Sequence, residues 1–226
     1  MERYAIYYTP GPGALAEFAA AWLGWDPEAG VAPAHPDVPG LPAPVAELTE
    51  TPRRYGFHGT LKAPFRLAEG CSREGLRDEL LSLAARLAPV TLPGLRLQPL
   101  GGFLALVPEG TQDALAALAG TVVRALDGFR RPPDAAEIAR RNPERLSPRQ
   151  RANLDRWGYP YVFEDFRFHL TLTGNIGAEA VAATAAALEP VLAPLLPRPF
   201  RVGELSLCHQ SEGQRFRVLE RVPLGG

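Results

Sequence analysis

The chain has 226 residues, a formal net charge of −1, and 46% hydrophobic and 22% charged residues, values typical of a globular protein of one domain or two closely joined lobes. Its 24 prolines and 22 glycines stay below the combined share of about 25–30% that indicates disorder. The nearly neutral charge argues against a stable complex with long nucleic acid, and two cysteines exclude a disulfide framework. No apolar run reaches the roughly 18–20 residues of a membrane span, and the first residues lack the form of a signal peptide. We therefore expect a cytoplasmic protein without membrane contact; the sequence does not define the oligomeric state, and a monomer is favoured.

Hydrophobic periodicity and turn residues predict a mixture of strands and helices. Pro190 is expected to kink or break the last helix. The elements in chain order are a strand at 4–8, a helix at 14–23, a proline-rich segment at 26–52, a strand at 57–65, a helix capped by Ser72, strands at 90–97 and 103–107, a helix capped by Thr111, a strand at 166–173, a helix from about 178, and strands at 200–207 and 216–222.

Residues 128–160 are predicted to form a helical, arginine-rich insert. Residues 128–156 hold eight arginines and four acidic residues. Ser147-Pro148-Arg149-Gln150 has the pattern of a capping box with proline at the first helical position, so a helix is expected to begin there and to end near Trp157-Gly158. The insert is either a solvated helical face or a lid that attracts an anionic substrate.

Two four-residue motifs stand out, His58-Gly59-Thr60-Leu61 and His169-Leu170-Thr171-Leu172. The same order of helix, strand and strand follows each of them, and Leu97 lies 39 positions after His58 while Leu207 lies 38 positions after His169. Elements that return at nearly equal spacing predict two structurally similar lobes. We expect both lobes to belong to a single domain, residues 1–226.

Strand alternation predicts that the polar side chains of each motif share a face. His58, Thr60 and Lys62 are expected on one face of the first strand, and His169 and Thr171 on one face of the second. The reverse faces are apolar, which indicates that helices cover them. One His-x-Thr tripeptide is a weak signal, but two copies at equivalent places of a repeat favour a shared polar site between the lobes.

Two imidazoles and two hydroxyls suit the cleavage of a phosphodiester by in-line displacement. One histidine removes a proton from the attacking oxygen and the other donates a proton to the leaving oxygen, and the unperturbed imidazole pKa of ~6.5 suits both roles. Threonine hydroxyls donate hydrogen bonds to the phosphate oxygens. Neither motif has zinc-ligand spacing, so no metal and no cofactor is expected, although a two-histidine metal site completed by distant carboxylates stays open.

Four stretches of the chain resemble the two-histidine (2H) phosphoesterase superfamily, and within it the branch encoded beside phosphonate-degradation (C–P lyase) genes. They are residues 3–7, 52–65, 157–162 and 166–174. The resemblance implies a bilobal α/β (α+β) fold with two antiparallel sheets flanking a central cleft, helices outside, and no cofactor. It also implies that His58 and His169 form the acid–base pair, that Thr60 and Thr171 bind phosphate, and that the substrate is a cyclic phosphate of a sugar or nucleotide.

Three basic residues are further candidates for substrate contact. Lys62 either meets an anionic group of the substrate or reaches solvent from the end of its strand. Arg53 and Arg54 either contact the substrate or cap a loop.

Four tyrosines complete the set of candidate site residues. Tyr55, Tyr159 and Tyr161 either contact a base or phosphate or fix proline-flanked loops. Tyr7 is included because the family places an aromatic residue near the cleft.

The sequence therefore predicts a metal-independent phosphoric diester hydrolase that acts on a small, cyclic phosphate ester in phosphonate or nucleotide metabolism. Two alternatives remain open: a non-catalytic protein of the same fold that binds a phosphate ligand, and a metal-dependent phosphohydrolase. The sequence does not define the substrate, the histidine that acts as base, or whether residues 128–160 form a lid.

Overall fold

The computed structural model describes residues 2–226, and its elements follow the predicted order. The strands are β1 (Arg3–Tyr8), β2 (Gly59–Phe65), β3 (Val90–Leu92), β4 (Leu95–Leu100), β5 (Phe103–Pro108), β6 (Leu170–Thr171), β7 (Phe200–Val202), β8 (Glu204–Gln210) and β9 (Arg217–Pro223). The α-helices are α1 (Ala14–Leu23), α2 (Val45–Leu48), α3 (Arg73–Ala84), α4 (Asp113–Ala125), α5 (Ala135–Ala139), α6 (Pro148–Trp157) and α7 (Ala178–Leu192).

The strand order is symmetric about the junction of β6 and β2. Seven strands form one antiparallel sheet in the order β4-β5-β6-β2-β1-β8-β9, and β3 pairs with β7 in a second, small sheet. Apart from the shorter helices, the chain runs through β1, α1, β2, α3, β3 and β4, and then through β5, α4, β6, α7, β7 and β8 in the same sequence of element types. The repeat predicted from the spacing of the two motifs is present in the sheet.

The predicted fold class, α/β with antiparallel sheets, is confirmed. The two halves of the large sheet meet at a single register pair, Gly59 with Leu170 between β2 and β6. Where the family resemblance implies two sheets flanking a cleft, this pair joins the two halves edge to edge into one sheet.

Strand β1 shows how the large sheet separates two faces. Tyr4, Ile6 and Tyr8 belong to the main hydrophobic core, together with the buried faces of α1, α3, α4 and α7. Ala5 and Tyr7 belong to a small cluster on the opposite side. The helices that pack on the main core therefore leave the Tyr7 face of the sheet free to form a cleft.

A β-bulge in β2 places Lys62 on the core face, so the predicted shared face for His58, Thr60 and Lys62 is wrong at Lys62. Strand β1 pairs Tyr7 with Thr60 but Ile6 with Lys62, so one step along β1 corresponds to two residues of β2. Because cross-strand partners point to the same face, Lys62 follows Ile6 into the core.

The amine of Lys62 has its own partners within the core. Its Nζ donates a hydrogen bond to the carbonyl oxygen of Val123 at 3.2 Å and lies 3.6 Å from the carboxylate of Asp127. Burial lowers the pKa of Lys62 to about 8, against the opposing effect of the Asp127 carboxylate. Lys62 is a buried structural group in this fold.

Three predicted strands are shorter than expected. The segment 90–97 is divided at Pro93-Gly94 and the segment 200–207 at Gly203; the first piece of each pairs in the small sheet and the second joins the large one. The predicted strand 166–173 is reduced to β6, because the N–H of Phe168 donates to the side-chain oxygen of Gln112 at 3.1 Å instead of to a neighbouring strand.

Two of the predicted helix starts are confirmed, one is displaced by a residue, and the predicted break at Pro190 is wrong. Ser72 caps α3, and the predicted capping box of Ser147 with Gln150 begins α6. Gln112, not Thr111, occupies the N-cap of α4. Helix α7 continues through Pro190 to Leu192, so the proline does not break the helix where it stands.

Within residues 2–226 one helical segment, Ala178–Leu195, is long and apolar enough to cross a membrane by length and composition. Its Val181, Leu188 and Leu192 side chains lie in the main core, and the helix contacts β4 and β5. We interpret it as a helix that covers the sheet.

Gly59 lies where β2 meets β6, and the ring of Phe168 fills the space that a side chain there would need. A Cβ at Gly59 would lie 2.3 Å from Cζ of Phe168. Phe168 is 1% exposed, and its ring centroid lies 6.0 Å from that of Tyr8 and 5.9 Å from that of Phe200. The ring has little room to move, so the junction requires glycine.

We expect Gly59→Ala to lower the free energy of unfolding by about 1–3 kcal/mol, the usual cost of overpacking a core. In a Phe168→Leu background the same substitution should cost less, by at least about 0.5 kcal/mol, because the ring edge that clashes is gone. Urea denaturation of the wild type, the two single variants and the double variant measures this coupling. Gly11→Ala is the matched control, since its Cβ would meet nothing within 4 Å; an equal cost of Gly59→Ala in both backgrounds would contradict the clash.

Lys62→Met should reveal the desolvated amine through the pH dependence of stability. The pKa of Lys62 is about 8 in the folded chain against a reference value of 10.5, so between these pH values the unfolded chain binds more protons and wild-type stability rises with pH. Relative to Lys62→Met, the wild type should gain on the order of 1–3 kcal/mol between pH 8 and pH 10. Urea unfolding at several pH values measures this gain, and a constant difference would show that the amine is solvated.

Candidate active site

A groove of about 340 Å³ opens on the cleft face of the sheet where β2 and β6 meet. Its polar lining includes His58, Thr60 and Thr171 from the two motifs. Phe103 lines it as well, and the ring of His169 lies beside Phe103 with 5.7 Å between ring centroids. The two motifs therefore border one space, which we call the histidine groove.

The register of β2 against β6 explains why the motifs meet. Gly59 pairs with Leu170 in an antiparallel ladder, and this register sets Thr60 opposite His169 and His58 opposite Thr171. Cross-strand neighbours share a face, and diagonal neighbours lie roughly 7–8 Å apart. The two histidines are such diagonal neighbours.

Both imidazoles are held in the same way. Nδ1 of His58 donates to the carbonyl oxygen of Gly56 at 2.9 Å, and Nδ1 of His169 donates to the carbonyl oxygen of Arg167 at 2.8 Å. A carbonyl oxygen can only accept, so Nδ1 carries the hydrogen and the neutral ring has its lone pair on Nε2. In each motif the acceptor lies two residues before the histidine, so the local chain fixes the tautomer.

The ring of His58 is desolvated by an aromatic neighbour. Tyr7, which is 1% exposed, stacks on it with 3.9 Å between ring centroids and 30° between ring planes. Burial lowers the pKa of His58 to about 4; the hydrogen bond to Gly56 opposes this decrease, and the charge of a protonated His169 adds to it. His58 is therefore neutral at neutral pH.

Two more of the candidate tyrosines lie at the groove. Tyr55 and Tyr159 line it, and the ring centroid of Tyr55 is 5.9 Å from that of His58. The guanidinium of Arg141 lies 4.9 Å from the ring centroid of Tyr159. Tyr7, Tyr55 and Tyr159 are thus brought to the groove, and their contact with a substrate stays a prediction.

Four predicted contact residues lie elsewhere. Lys62 is in the core, and Arg53 donates hydrogen bonds from Nε to the carbonyl oxygen of Leu23 at 2.8 Å and from its Nη2 atom to that of Ala46 at 2.7 Å. Tyr161 is 46% exposed and does not line the groove. Arg54 belongs to a turn of 3₁₀-helix and not to the start of β2; it lines an adjoining cavity.

Sequence reasoning did not assign Arg3 to the groove, and it placed Arg141 only in an insert that was either a lid or a solvated face; both residues line the groove. Arg3 lies on the same face of β1 as Tyr7 by strand alternation, and this spacing is a signal that was present in the sequence. Arg141 follows the short helix α5, and no local pattern predicts that it reaches the groove.

The groups that the two motifs bring to the groove are two imidazoles, each with Nε2 free of the hydrogen bond that orients the ring, and two hydroxyls; Arg3 and Arg141 add two guanidinium groups. One ring can accept a proton while the other donates one, and the hydroxyls can donate hydrogen bonds to an anion. Residues 2–226 contain no cluster of three or more His, Cys, Asp or Glu side chains arranged to hold a metal ion.

Comparison with curated proteins finds relatives longer than this chain. The chain is similar to a ribose 1,5-bisphosphate phosphokinase (PhnN) of Janthinobacterium sp. (strain Marseille), at 36% identity over 233 residues that cover 100% of this chain and 51% of that protein. It is also similar to that of Laribacter hongkongensis (strain HLHK9), at 41% identity over 177 residues that cover 77% of this chain and 40% of that protein. The chain thus spans about half the length of these relatives or less.

Solved structures of similar shape include E. coli LigT complexed with 3′-AMP, with a TM-score of 0.45, 16% identity, and coverage of 100% of this chain and 99% of that one. A structure described as a phosphoesterase has a TM-score of 0.43 and 18% identity, covering 100% of this chain and 99% of that one. These scores are below 0.5, so assignment to a family rests on sequence.

The paired His-x-Thr motifs, at equivalent places in the sheet, are the features by which this chain resembles the two-histidine phosphoesterases. A family model described as "Protein of unknown function (DUF1045)" matches residues 60–217. The match includes Thr60, His169 and Thr171 and covers well over half of the sequence. The chain belongs to the DUF1045 family.

Proposed function

We propose that this chain is a metal-independent phosphodiesterase that hydrolyses a small cyclic phosphate ester, with His58 as general base and His169 as general acid. The observation that carries the proposal is the pair of imidazoles at diagonal positions of the β2–β6 junction, each with Nδ1 bonded to a main-chain carbonyl. A histidine with a purely structural role has no need of a second histidine at the symmetry-related position. It also has no need for both rings to carry the hydrogen on the same nitrogen.

The proposed reaction is an in-line displacement at phosphorus. Nε2 of His58 removes a proton from a water molecule as its oxygen forms a bond to phosphorus. The bond between phosphorus and one ring oxygen breaks, and that oxygen receives the proton from Nε2 of protonated His169. The product is a phosphate monoester with a free hydroxyl, and the two histidines return to their initial states by exchanging protons with solvent.

The unequal surroundings of the rings support these roles. A general base must be neutral when the substrate binds, and burial under Tyr7 keeps His58 neutral because it lowers the pKa of His58 to about 4. The ring of His169 lies beside Phe103 at a ring-centroid distance of 5.7 Å. This distance is longer than the 3.9 Å between the rings of His58 and Tyr7.

The threonines of the two motifs would stabilise the transferring group. The hydroxyls of Thr60 and Thr171 line the groove between the rings, where they can donate to the two non-bridging oxygens of the phosphate. A hydrogen bond to a charged acceptor contributes about 1.5–3 kcal/mol, and contacts that strengthen in the transition state accelerate the reaction.

The names of the curated relatives favour a phosphorylated ribose as substrate, because they refer to ribose 1,5-bisphosphate. The phosphokinase activity itself is not carried over. The sequence lacks the Gly-x-x-x-x-Gly-Lys-Ser/Thr pattern of a P-loop, and its single lysine, Lys62, is 3% exposed in the core. A 1,2-cyclic phosphate of ribose is therefore a suitable first compound to assay, with 2′,3′-cyclic nucleotides beside it. These compounds cover both the phosphonate and the nucleotide metabolism proposed from the sequence.

Two alternatives remain to be distinguished from the phosphodiesterase. A protein that binds a phosphate ligand without turnover would use the same donors, and a metal-dependent phosphohydrolase would use the histidines as ligands. Tight binding without turnover favours the first, and activity abolished by EDTA favours the second.

His58→Ala and His169→Ala should each lower kcat/KM by at least about 10²-fold, because each removes one proton-transfer group. Turnover of ribose 1,2-cyclic phosphate and of 2′,3′-cyclic nucleotides, followed by phosphorus NMR in excess EDTA, measures the effect.

His209→Gln is the matched control for those two variants. His209 pairs with Tyr4, on the core face of β1, so its substitution should change kcat/KM less than about threefold. Full activity of either groove variant would overturn the proposal.

The pH dependence of kcat/KM should report the desolvated base. His58 accepts a proton only when neutral, so kcat/KM is expected to keep its plateau down to about pH 5 and to fall as the pH decreases through about 4. In Tyr7→Leu, which lets water reach the ring, the acid limb should move upward toward the unperturbed value of ~6.5. Steady-state rates in buffers of constant ionic strength measure both profiles. An acid limb near 6.5 in the wild type would contradict the assignment of His58 as a buried base.

A further inference from the structure

A second cavity adjoins the histidine groove. It has a volume of about 510 Å³, and its lining includes seven arginines and two glutamates. Arg3, Tyr55, Pro64 and Arg141 line both spaces, so the second cavity lies directly beside the groove. We call this second space the arginine cavity.

Part of the positive charge of the arginine cavity is neutralised within the protein. Arg66 lies 3.3 Å from Asp134 and 3.3 Å from Glu137, and Arg130 lies 2.8 Å from Asp127. Glu137 has a second task, since its carboxylate also accepts the N–H of Asp134 in the capping box of α5. Asp127, Asp134 and Glu137 are thus engaged in holding the segment that follows α4.

The rest of the charge is available to a ligand. In the part of the chain that the structure describes, Arg54, Arg140 and Arg141 take part in no ion pair, and Arg54 and Arg140 are exposed. Two further nitrogens, Nε of Arg66 and one Nη of Arg130, are buried without a hydrogen-bond partner. The cavity therefore combines exposed guanidinium groups that form no ion pair with buried guanidinium groups that each keep one nitrogen without a hydrogen-bond partner.

We propose that the arginine cavity binds a second phosphate group of the substrate, distinct from the cyclic phosphate that reacts. The inference rests on the proposed function, which places the reacting phosphate between His58 and His169. The proposed substrate is therefore a small cyclic phosphodiester that also carries a terminal phosphate monoester. Tyr55 would lie beside the sugar ring that connects the two phosphate groups.

The chemistry of the lining favours phosphate over other occupants. Guanidinium groups bind phosphate through paired, charge-assisted hydrogen bonds, whereas a neutral base or sugar would leave several of these donors without an acceptor. A phosphate monoester carries about two negative charges at neutral pH, and this charge matches the excess of arginine over glutamate in the lining of the cavity. The near-neutral net charge of the chain, −1, favours a small ligand over a polynucleotide, whose binding relies on extended positive surface.

The test compares ribose 1,2-cyclic phosphate with and without a phosphate on O5, in excess EDTA. The wild type should prefer the compound with the additional phosphate by about 10- to 100-fold in kcat/KM, since contacts to a charged group have this magnitude. Arg54→Gln and Arg140→Gln should each lower this ratio by about tenfold. Arg201→Gln, an exposed arginine of β7 that lines neither space, is the matched control and should leave the ratio unchanged.

The outcomes separate this inference from the proposed function. If both compounds are hydrolysed equally well, the second phosphate site is refuted and the phosphodiesterase stands. If neither is hydrolysed, calorimetric binding of ribose 5-phosphate decides: loss of binding in Arg54→Gln and Arg140→Gln, but not in Arg201→Gln, supports the site without the enzyme, and equal binding refutes it. Faster turnover of an oligoribonucleotide ending in a 2′,3′-cyclic phosphate would place a polynucleotide in the cavity and overturn the inference.

Discussion

The approach of β2 to β6 at Gly59 and Leu170 is the contact on which the whole site depends. It is the one register pair recorded between the two halves of the large sheet in residues 2–226, and it fixes which side chains of the two motifs face each other. A slip of one residue would turn every side chain of a strand to the opposite face and would place the histidines in the core. The register is held from the reverse face, where Leu61, Leu170 and Leu172 belong to the main core, and by the ring of Phe168, which fits only beside a glycine. The polar groups of the groove are thus positioned by apolar packing behind them.

The symmetry of the fold gives the two histidines equal orientation in unequal surroundings. Each ring is bonded through Nδ1 to the carbonyl oxygen two residues earlier, so both leave Nε2 free of the bond that orients the ring. The equivalent strands β1 and β5 then supply different neighbours. Tyr7 stacks on His58 at 3.9 Å, whereas Phe103 lies 5.7 Å from His169. Acid–base catalysis needs one neutral and one protonated group at the same pH, and a difference in burial between two otherwise equivalent rings is a direct way to obtain it.

Sequence reasoning succeeded where the determining interactions are local. The order of elements, the caps at Ser72 and Ser147, and the pairing of two His-x-Thr motifs follow from periodicity and from side chains within a few residues of one another. It failed where strand pairing decides. The bulge that turns Lys62 into the core arises because one step along β1 corresponds to two residues of β2. No residue type in β2 predicts this bulge from the sequence. The divisions at Pro93-Gly94 and Gly203 had visible breakers in the sequence, but the small sheet they create depends on contact between segments more than 100 residues apart. Arg141 reaches the groove through tertiary packing alone.

The division of positive charge between the groove and the arginine cavity has a consequence for the proposed reaction. The proposed position of the reacting phosphate lies beside imidazole and hydroxyl groups, and of the seven arginines that line the arginine cavity two, Arg3 and Arg141, also line the groove. A guanidinium placed directly on His58 would add to the desolvation that already lowers its pKa and would weaken the base further. It would also bind the cyclic phosphate in the ground state, which lowers KM without raising kcat. Binding energy gained from a remote phosphate avoids both effects, because that group does not change during the reaction and its contacts serve to hold the reacting phosphorus in line between the two rings.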